Sequence, residues 1–365
     1  MTDLQIALDS IASPRADSSG HKMAEVVGSQ HEEANGKSYT CGGLFAGIGG
    51  FCFGFEDAGF ETLWCNDLSK EAGSAYLRNF DDAHFINSDV KSLNAMRDLS
   101  QVDVLHAGFP CQSFSAAGFR LGFEDPRGQL FFEIVRLLKE WGEQRPKVLV
   151  LENSPHLKDG EGGAWFRTVQ TEIQRAGYWF TSSNAFVLDT REHGGLPQRR
   201  KRLFMIAVNQ DFADFNPIDL SGIEPERQMN ISDLIRLDET DDYYYLNEDS
   251  KYAHMIKKQV TNEDPYQLYQ LRKYFVRVPE KGVCPTLTAN MGLGGHNVPF
   301  VQEGGRMRKL TERECLDLQG FPQTFEFPTE MSMSKRYELI GNSVSPVISR
   351  VIAKKVNRFL SGGLS

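Results

Sequence analysis

The chain has 365 residues, of which 40% are hydrophobic and 24% charged, with a net charge of −9. That size and composition suit one large or two ordinary globular domains with a real core. The absence of any run of 18 apolar residues argues against a membrane-spanning helix, and the acidic total taken alone argues against a nucleic-acid partner.

Residues 1–37 are polar and rich in Ser, Asp, Glu and Gly, and read as a mobile tail with a short helix in "LQIALDSIA". They carry no basic flank followed by an apolar stretch, so no membrane association and a cytoplasmic protein are expected. From residue 38 to 209, short apolar runs ("YTCGGLFA", "ETLWCND", "HFIN", "VDVLHAG", "KVLVLE", "AFVL", "RLFMIAV") alternate with helical stretches ("KEAGSAYLRNF", "GQLFFEIVRLLKEW", "AWFRTVQTEIQRAG"). This pattern predicts an α/β fold with a mostly parallel, doubly wound sheet whose ligands sit beyond the carboxyl ends of the strands.

The alternation fails over residues 210–305, which read as a smaller, irregular inserted domain. Charge is uneven there. Residues 211–250 hold 12 acidic and 2 basic side chains, whereas 251–313 hold 11 basic and 5 acidic, so a basic surface can exist within an acidic chain. In "RKLTERECLDLQGFP", Thr311 and Glu314 have the spacing of a capping box. The final segment places Val344, Val347, Ile348, Val351, Ile352, Val356 and Phe359 on one helical face, predicting a helix that packs back on the first domain, residues 38–209 plus 306–365.

Several strand ends carry candidate chemistry. "LFAGIGGFCFGF" follows the first strand and opens a helix, but Gly47, Gly49 and Gly50 do not fit the dinucleotide fingerprint; a ligand with a carboxylate and an adenosine suits the turn better than a pyrophosphate. Asp67 ends the second strand as a ribose acceptor or a helix cap, and Asp89 ends the third. Cys111, in "AGFPCQSFSAAG", follows the fourth strand and is a candidate nucleophile; Gly118 and Gly122 would let its loop move. Glu152 ends the fifth strand beside an apolar wall, which raises a carboxyl pKa and suits proton delivery. "QRRKR" offers a phosphate clamp or a solvated face, and Asn342 lies on a turn before the last helix. The six cysteines (41, 52, 65, 111, 284, 315) form no C-x-x-C pair, so neither metal nor disulfide is expected.

In this order, "FAGIGG", "GFPCQSFS", "ENS", "QRRKR", "RKLTERECLDLQGFP" and "GNSVSP" closely resemble the cytosine-C5 DNA methyltransferases, collinearly from about Leu44 to Val356. The resemblance implies S-adenosyl-L-methionine as cofactor and S-adenosyl-L-homocysteine as product. Phe45, Gly47, Gly49, Asp67 (ribose), Asp89 (adenine amino group), Phe109, Asn342 and Val344 would contact the cofactor. Cys111 would add to C6 of a flipped-out cytosine, Glu152 would hold N3, and Arg202 with Arg200 would hold the 2-oxo group and the Cys111 loop. Gln112 and Ser115 would touch double-stranded DNA as the loop closes. The inserted domain would read the target, with Arg272, Lys273, Arg277, Asn290, His296 and Asn297 as candidates. A monomer is expected, and a restriction endonuclease acting on the same site as its counterpart. Two departures stand out: Ser154 where the family has valine, and Leu68 where some relatives place an aromatic. Alternatives are a tRNA cytosine-C5 methyltransferase, against which the segment "PTLTANMGLGGHNVP" weighs, and an inactive DNA-binding relative, against which the intact Cys111, Glu152 and Arg202 weigh. An adenine or small-molecule methyltransferase would need no thiol after the proline.

Overall fold

The computed structural model describes residues 38–80, 84–111, 113–114, 122–237, 240–261, 264–272, 274–293 and 297–363. The tail expected over residues 1–37 lies outside the described residues, as do Gln112, Ser115, Gly118, Lys273 and His296.

The first part of the chain forms β1 (Tyr39–Leu44), α1 (Gly50–Asp57), β2 (Phe60–Asp67), α2 (Lys70–Leu77), β3 (His84–Asn87), α3 (Ala95–Asp98), β4 (Val104–Gly108), α4 (Leu130–Trp141), β5 (Val148–Asn153), α5 (His156–Arg175), β6 (Tyr178–Trp179), β7 (Ala185–Asp189), α6 (Thr190–Gly194) and β8 (Lys201–Asn209). There follow α7 (Lys251–Lys257), β9 (Gln270–Leu271), β10 (Val276–Arg277), β11 (Phe300–Glu303), β12 (Arg306–Lys309), α8 (Glu312–Gln319), α9 (Met333–Asn342) and α10 (Pro346–Leu360). The sheet order is β3-β2-β1-β4-β5-β8, with β6 and β7 sharing the outer edge of β8. β1 to β5 are parallel to one another; β8 runs antiparallel to β5 and to both edge strands. The sheet is therefore mostly parallel, as the strand–helix alternation predicts, but mixed at one end. A two-residue strand such as β6 carries no periodic signal, and was not foreseen.

Alternation along the central strands builds both faces. Leu149 and Leu151 of β5 and Leu203, Met205 and Ala207 of β8 join the core under α4 and α5. Val148 and Val150, with Phe204, Ile206 and Val208, join the core with Phe51 and Phe55 of α1 and Ile348, Ile352 and Val356 of α10. The last helix thus packs back on the first. Their axes come close because α1 presents glycines: a Cβ at Gly54 would lie 2.4 Å from the Arg350 nitrogen and 2.6 Å from the Pro346 oxygen. Ser349 seals the contact by donating to the Phe51 carbonyl at 2.8 Å.

Residues after β8 are mostly irregular. Ile218 and Leu220 lie against the sheet core, and Ile231, Leu234 and Ile235 join a second cluster with α8 and α9. A small separate cluster of Ile256, Tyr269, Leu271, Phe300 and Met307 holds the β9–β10 and β11–β12 hairpins. The hairpin β11–β12 turns at Gly304–Gly305, so a division at 305 falls inside its turn. Thr311 and Glu314 do form the capping box of α8.

Replacing Gly54 by alanine forces α1 and α10 apart. The gain in helix propensity, about 1 kcal/mol, is outweighed by overpacking of about 1–3 kcal/mol. Urea unfolding of Gly54→Ala is expected to show a lower midpoint than the parent; an equal or higher midpoint refutes this packing.

Candidate active site

Sheet order reverses between β1 and β4: β2 and β3 follow β1 on one side, and β4 and β5 extend the other. At such a switch point the strand ends splay into a crevice. A cavity of about 540 Å³ opens there, lined by the ends of β1, β2, β4 and β5 and by residues 335–344. That volume lies within the usual range for a cofactor or substrate site.

One end of the cavity suits a polar small molecule. Phe45 has φ 56° and Gly47 φ 57°, so the chain turns sharply out of β1. A left-handed conformation at a bulky residue is costly and marks a site built for a ligand. Asp67 accepts from the Gly47 N–H at 2.9 Å and from the Ser69 N–H at 2.8 Å. Burial nonetheless pushes its carboxyl up, against those two N–H groups. The helix cap is not Asp67 but Ser69, whose hydroxyl accepts from the Ala72 N–H. Asp89 caps a short turn by accepting from Lys91 N–H at 3.0 Å, and it also lines the cavity. Asn66, fully buried, donates to the carbonyls of Ile86 and Ser88 at 2.8 Å each and so fixes the end of β3. Leu68 lies exposed at the rim.

The other end gathers a thiol, a carboxyl and two guanidinium groups. Gly108 pairs with Glu152 across β4 and β5, so the segment Phe109–Cys111 leaves the sheet beside that carboxyl. Asn153 holds the segment, donating from its side chain to the Phe109 carbonyl at 3.1 Å. Of the six thiols, Cys111 is the one that is not fully buried. Burial pushes it up, Arg202 pulls it down, Glu152 pushes it up again, and the net direction is up. Glu152 is 8% exposed and pairs with Arg202, Nε to Oε1 at 3.1 Å. Burial raises its carboxyl more than Arg202 and Arg200 lower it, so it holds a proton more readily than an exposed glutamate.

Arg200 behaves differently from the role expected of it beside Arg202. It is 2% exposed, and its Nη atoms donate to three main-chain carbonyls: Leu287 at 2.6 Å, Gly341 at 3.1 Å and Ser343 at 2.6 Å. Burial, then the charge of Arg202, pulls it down to about 9, which leaves it charged at neutral pH.

Thus Cys111, Glu152, Arg200, Arg202, Phe45, Gly47, Asp67, Asp89, Phe109, Asn342 and Val344 all line one cavity. Gly49 does not. With φ 86° it caps α1, and a Cβ there would lie 2.5 Å from the Phe80 ring; Gly50 lines the cavity instead. Asn342 ends α9 rather than lying on a bare turn. Lys335 and Glu338, on a helix with no strong sequence signal, also line the cavity and were not foreseen. Arg272, Arg277, Asn290 and Asn297 lie elsewhere. Arg272 is pulled down by burial and by the neighbouring charge of Arg277, and Asn297 donates to the Asn290 carbonyl at 2.9 Å.

The chain matches the C-5 cytosine-specific DNA methylase family over residues 39–358. It is 38% identical to the Type II methyltransferase M.Bsp6I of Bacillus sp. (strain RFL6) over 86% of this chain and 96% of that protein. It is 30% identical to the Type II methyltransferase M.HhaI of Haemophilus parahaemolyticus over 87% and 94%. Its fold resembles that of Spodoptera frugiperda DNMT2 (TM-score 0.66, 17% identity, 88% of this chain and 100% of that one). A prophage-encoded DNA modification methyltransferase of E. coli is similar as well (TM-score 0.63, 22% identity, 89% and 100%). The chain therefore belongs to the C-5 cytosine-specific DNA methylase family and is a DNA (cytosine-5)-methyltransferase.

Proposed function

We propose that the protein methylates C5 of a cytosine flipped out of a specific sequence in double-stranded DNA, through transient addition of Cys111 to C6. The observation that carries this reading is one cavity with the thiol, Glu152 and Arg202 at one end and the glycine turn, Asp67 and Asp89 at the other. A base within a duplex cannot reach such a recess, so extrusion is required.

The residues present fit S-adenosyl-L-methionine. Phe45 and Gly47 would border the methionine part, Asp67 the ribose and Asp89 the adenine amino group, with Phe109, Asn342 and Val344 completing the wall. When bound, the cofactor supplies an electrophilic methyl group and becomes S-adenosyl-L-homocysteine.

Cytosine C5 is a weak nucleophile while the ring is aromatic. The Cys111 thiolate bonds to C6, and the displaced electron pair moves toward N3. Glu152, whose carboxyl burial pushes up, donates to N3 in its protonated form and stabilises that charge; Arg202 orients Glu152 and bonds the 2-oxo group. C5, now part of an enamine, gains the methyl group. Loss of the C5 proton and expulsion of Cys111 restore the ring.

We assign target reading to residues 210–309, with Arg272 and Arg277 as DNA contacts: Arg272, pulled down by burial and then by the charge of Arg277, gains from a phosphate or a base edge beside it. Asn290 and Asn297 belong to the same proposal. We further propose a bacterial cytoplasmic monomer; the Type II naming of the relatives supports a restriction endonuclease acting on the same sequence as its counterpart.

Bisulfite sequencing of DNA from expressing cells is expected to show methylcytosine at one short sequence. A duplex of that sequence bearing 5-fluorocytosine should trap a covalent adduct on the parent but not on Cys111→Ala; an adduct surviving in the variant refutes the mechanism. Glu152→Gln is expected to lower kcat by about 100-fold or more, the range for a lost general acid, with cofactor affinity retained.

Charge also predicts the pH profile. Catalysis needs the Cys111 thiolate together with protonated Glu152. Since the thiol ionises above the carboxyl, the acid limb of the bell follows Glu152 and the alkaline limb follows Cys111. Arg202 lowers both groups. Iodoacetamide alkylation of Cys111 in Arg202→Met should therefore titrate at higher pH than in the parent, and an unmoved curve would contradict the assignment.

A further inference from the structure

The segment Cys284–Leu287 lies along Pro197–Arg200 like an extra strand. The Cys284 N–H donates to the Pro197 carbonyl at 2.7 Å, and the Arg199 N–H donates to the Cys284 carbonyl at 2.9 Å. The Thr286 hydroxyl donates to the Arg199 carbonyl at 2.7 Å. Both polar groups of the Leu287 backbone are taken by side chains: its N–H donates to Gln198 Oε1 at 3.1 Å, and its carbonyl accepts from Arg200 at 2.6 Å. The next residues meet α9, where a Cβ on Gly341 would lie 2.1 Å from the Thr288 carbonyl carbon. The other nitrogen of the same guanidinium grips the carbonyls on either side of Asn342. Its Nε–H is buried without a partner among the described residues.

We infer that Arg200 is a positioning residue: it locks the segment leading into the target-reading loop and the cofactor-lining turn at 341–343 into one register, and so couples DNA binding to cofactor binding. The inference rests on the proposed reading that residues beyond Leu287 meet DNA and that Asn342 meets the cofactor. A planar guanidinium that donates three bonds fixes both backbones at once; a shift of either one breaks bonds to the other. A lysine keeps the charge but cannot fork. Coupling of this kind is reciprocal, so it can be read from either ligand.

The test compares the parent with Arg200→Lys, Arg200→Met and Gln198→Leu. Calorimetry gives the affinity for S-adenosyl-L-homocysteine with and without a duplex carrying the mapped target sequence. In the parent, the duplex is expected to tighten binding by about 10-fold or more, within the ordinary range of coupling. In both Arg200 variants that ratio should fall toward one, cofactor affinity without DNA should weaken by about 10-fold, and KM for the cofactor should rise more than kcat falls. Gln198→Leu removes the acceptor of the Leu287 N–H together with the donations to the Leu318 carbonyl and Gln319, and none of these residues lines the cavity; it should lose the ratio yet keep the DNA-free cofactor affinity, and it serves if Arg200→Met does not fold. A parent ratio of one, or an Arg200→Lys protein with the parental ratio, overturns the inference while leaving the methylation reading intact. A parent that methylates no duplex DNA overturns the reading itself.

Discussion

Everything in the site depends on β4 being held between two parallel neighbours. Its Ala107 lies beside Leu44 of β1, and its Gly108 beside Glu152 of β5. The first pairing sets the β4 end against the glycine turn; the second sets it against the carboxyl. Cys111 follows three residues later, a distance too short for the chain to wander, and Asn153 pins the intervening Phe109 carbonyl. Parallel strands deliver their carboxyl ends to one edge, so residues as far apart in sequence as 45 and 152 converge there. Phe45 takes the conformational strain of this arrangement, in the left-handed region where glycine would be easier.

Electrostatics then divides labour within one short stretch. In "QRRKR" the side chains alternate at the entry to β8: Arg200 and Arg202 turn inward, while Arg199 pairs with Glu280 at the surface and Lys201 faces solvent. The two inward cations raise the local potential beside one carboxyl and one thiol. Burial works against both anions, and it wins in each case. A buried ion pair such as Glu152 with Arg202 gives little net stability after desolvation, so its effect here is to orient the carboxyl within the cavity. Arg200 spends its hydrogen bonds on main-chain carbonyls, which suits a brace better than a reacting group.

Much of this was legible beforehand, for physical reasons. Apolar runs ending in Asp67, Cys111 and Glu152 mark strand ends, and a doubly wound sheet has its crevice there. Thr311 and Glu314 announce their cap because both bonds are local. What stayed hidden depends on distant contact. Asn153 and Gln198 show no periodicity and acquire meaning only when Phe109 and Leu287 arrive beside them. Gly49 and Gly50 look alike in the string, yet packing against Phe80 turns one away from the cavity that the other lines. Alternation could not separate the antiparallel β8 from a parallel strand, because a strand buried on both faces is apolar in either direction.

The region of residues 210–309 is anchored by charge as well as by its apolar contacts with the sheet core, α8 and α9. Arg308, fully buried, donates to Glu303 on the adjoining strand of its hairpin, to the Arg236 carbonyl and to both oxygens of Glu314 at 2.9 Å. Glu314 is simultaneously the return half of the α8 cap, accepting from the Thr311 N–H, and accepts from the Arg236 N–H at 3.1 Å. Such a network is directional where hydrophobic contact is not: it tolerates one placement of the hairpin relative to α8, and a half-satisfied alternative would leave a buried charge unpaired. Together with the seam along Pro197–Arg200, this gives an irregular segment two rigid attachments to the sheet domain. On the proposed reading, in which this region meets DNA, such orientation is what fixes its offset from Cys111.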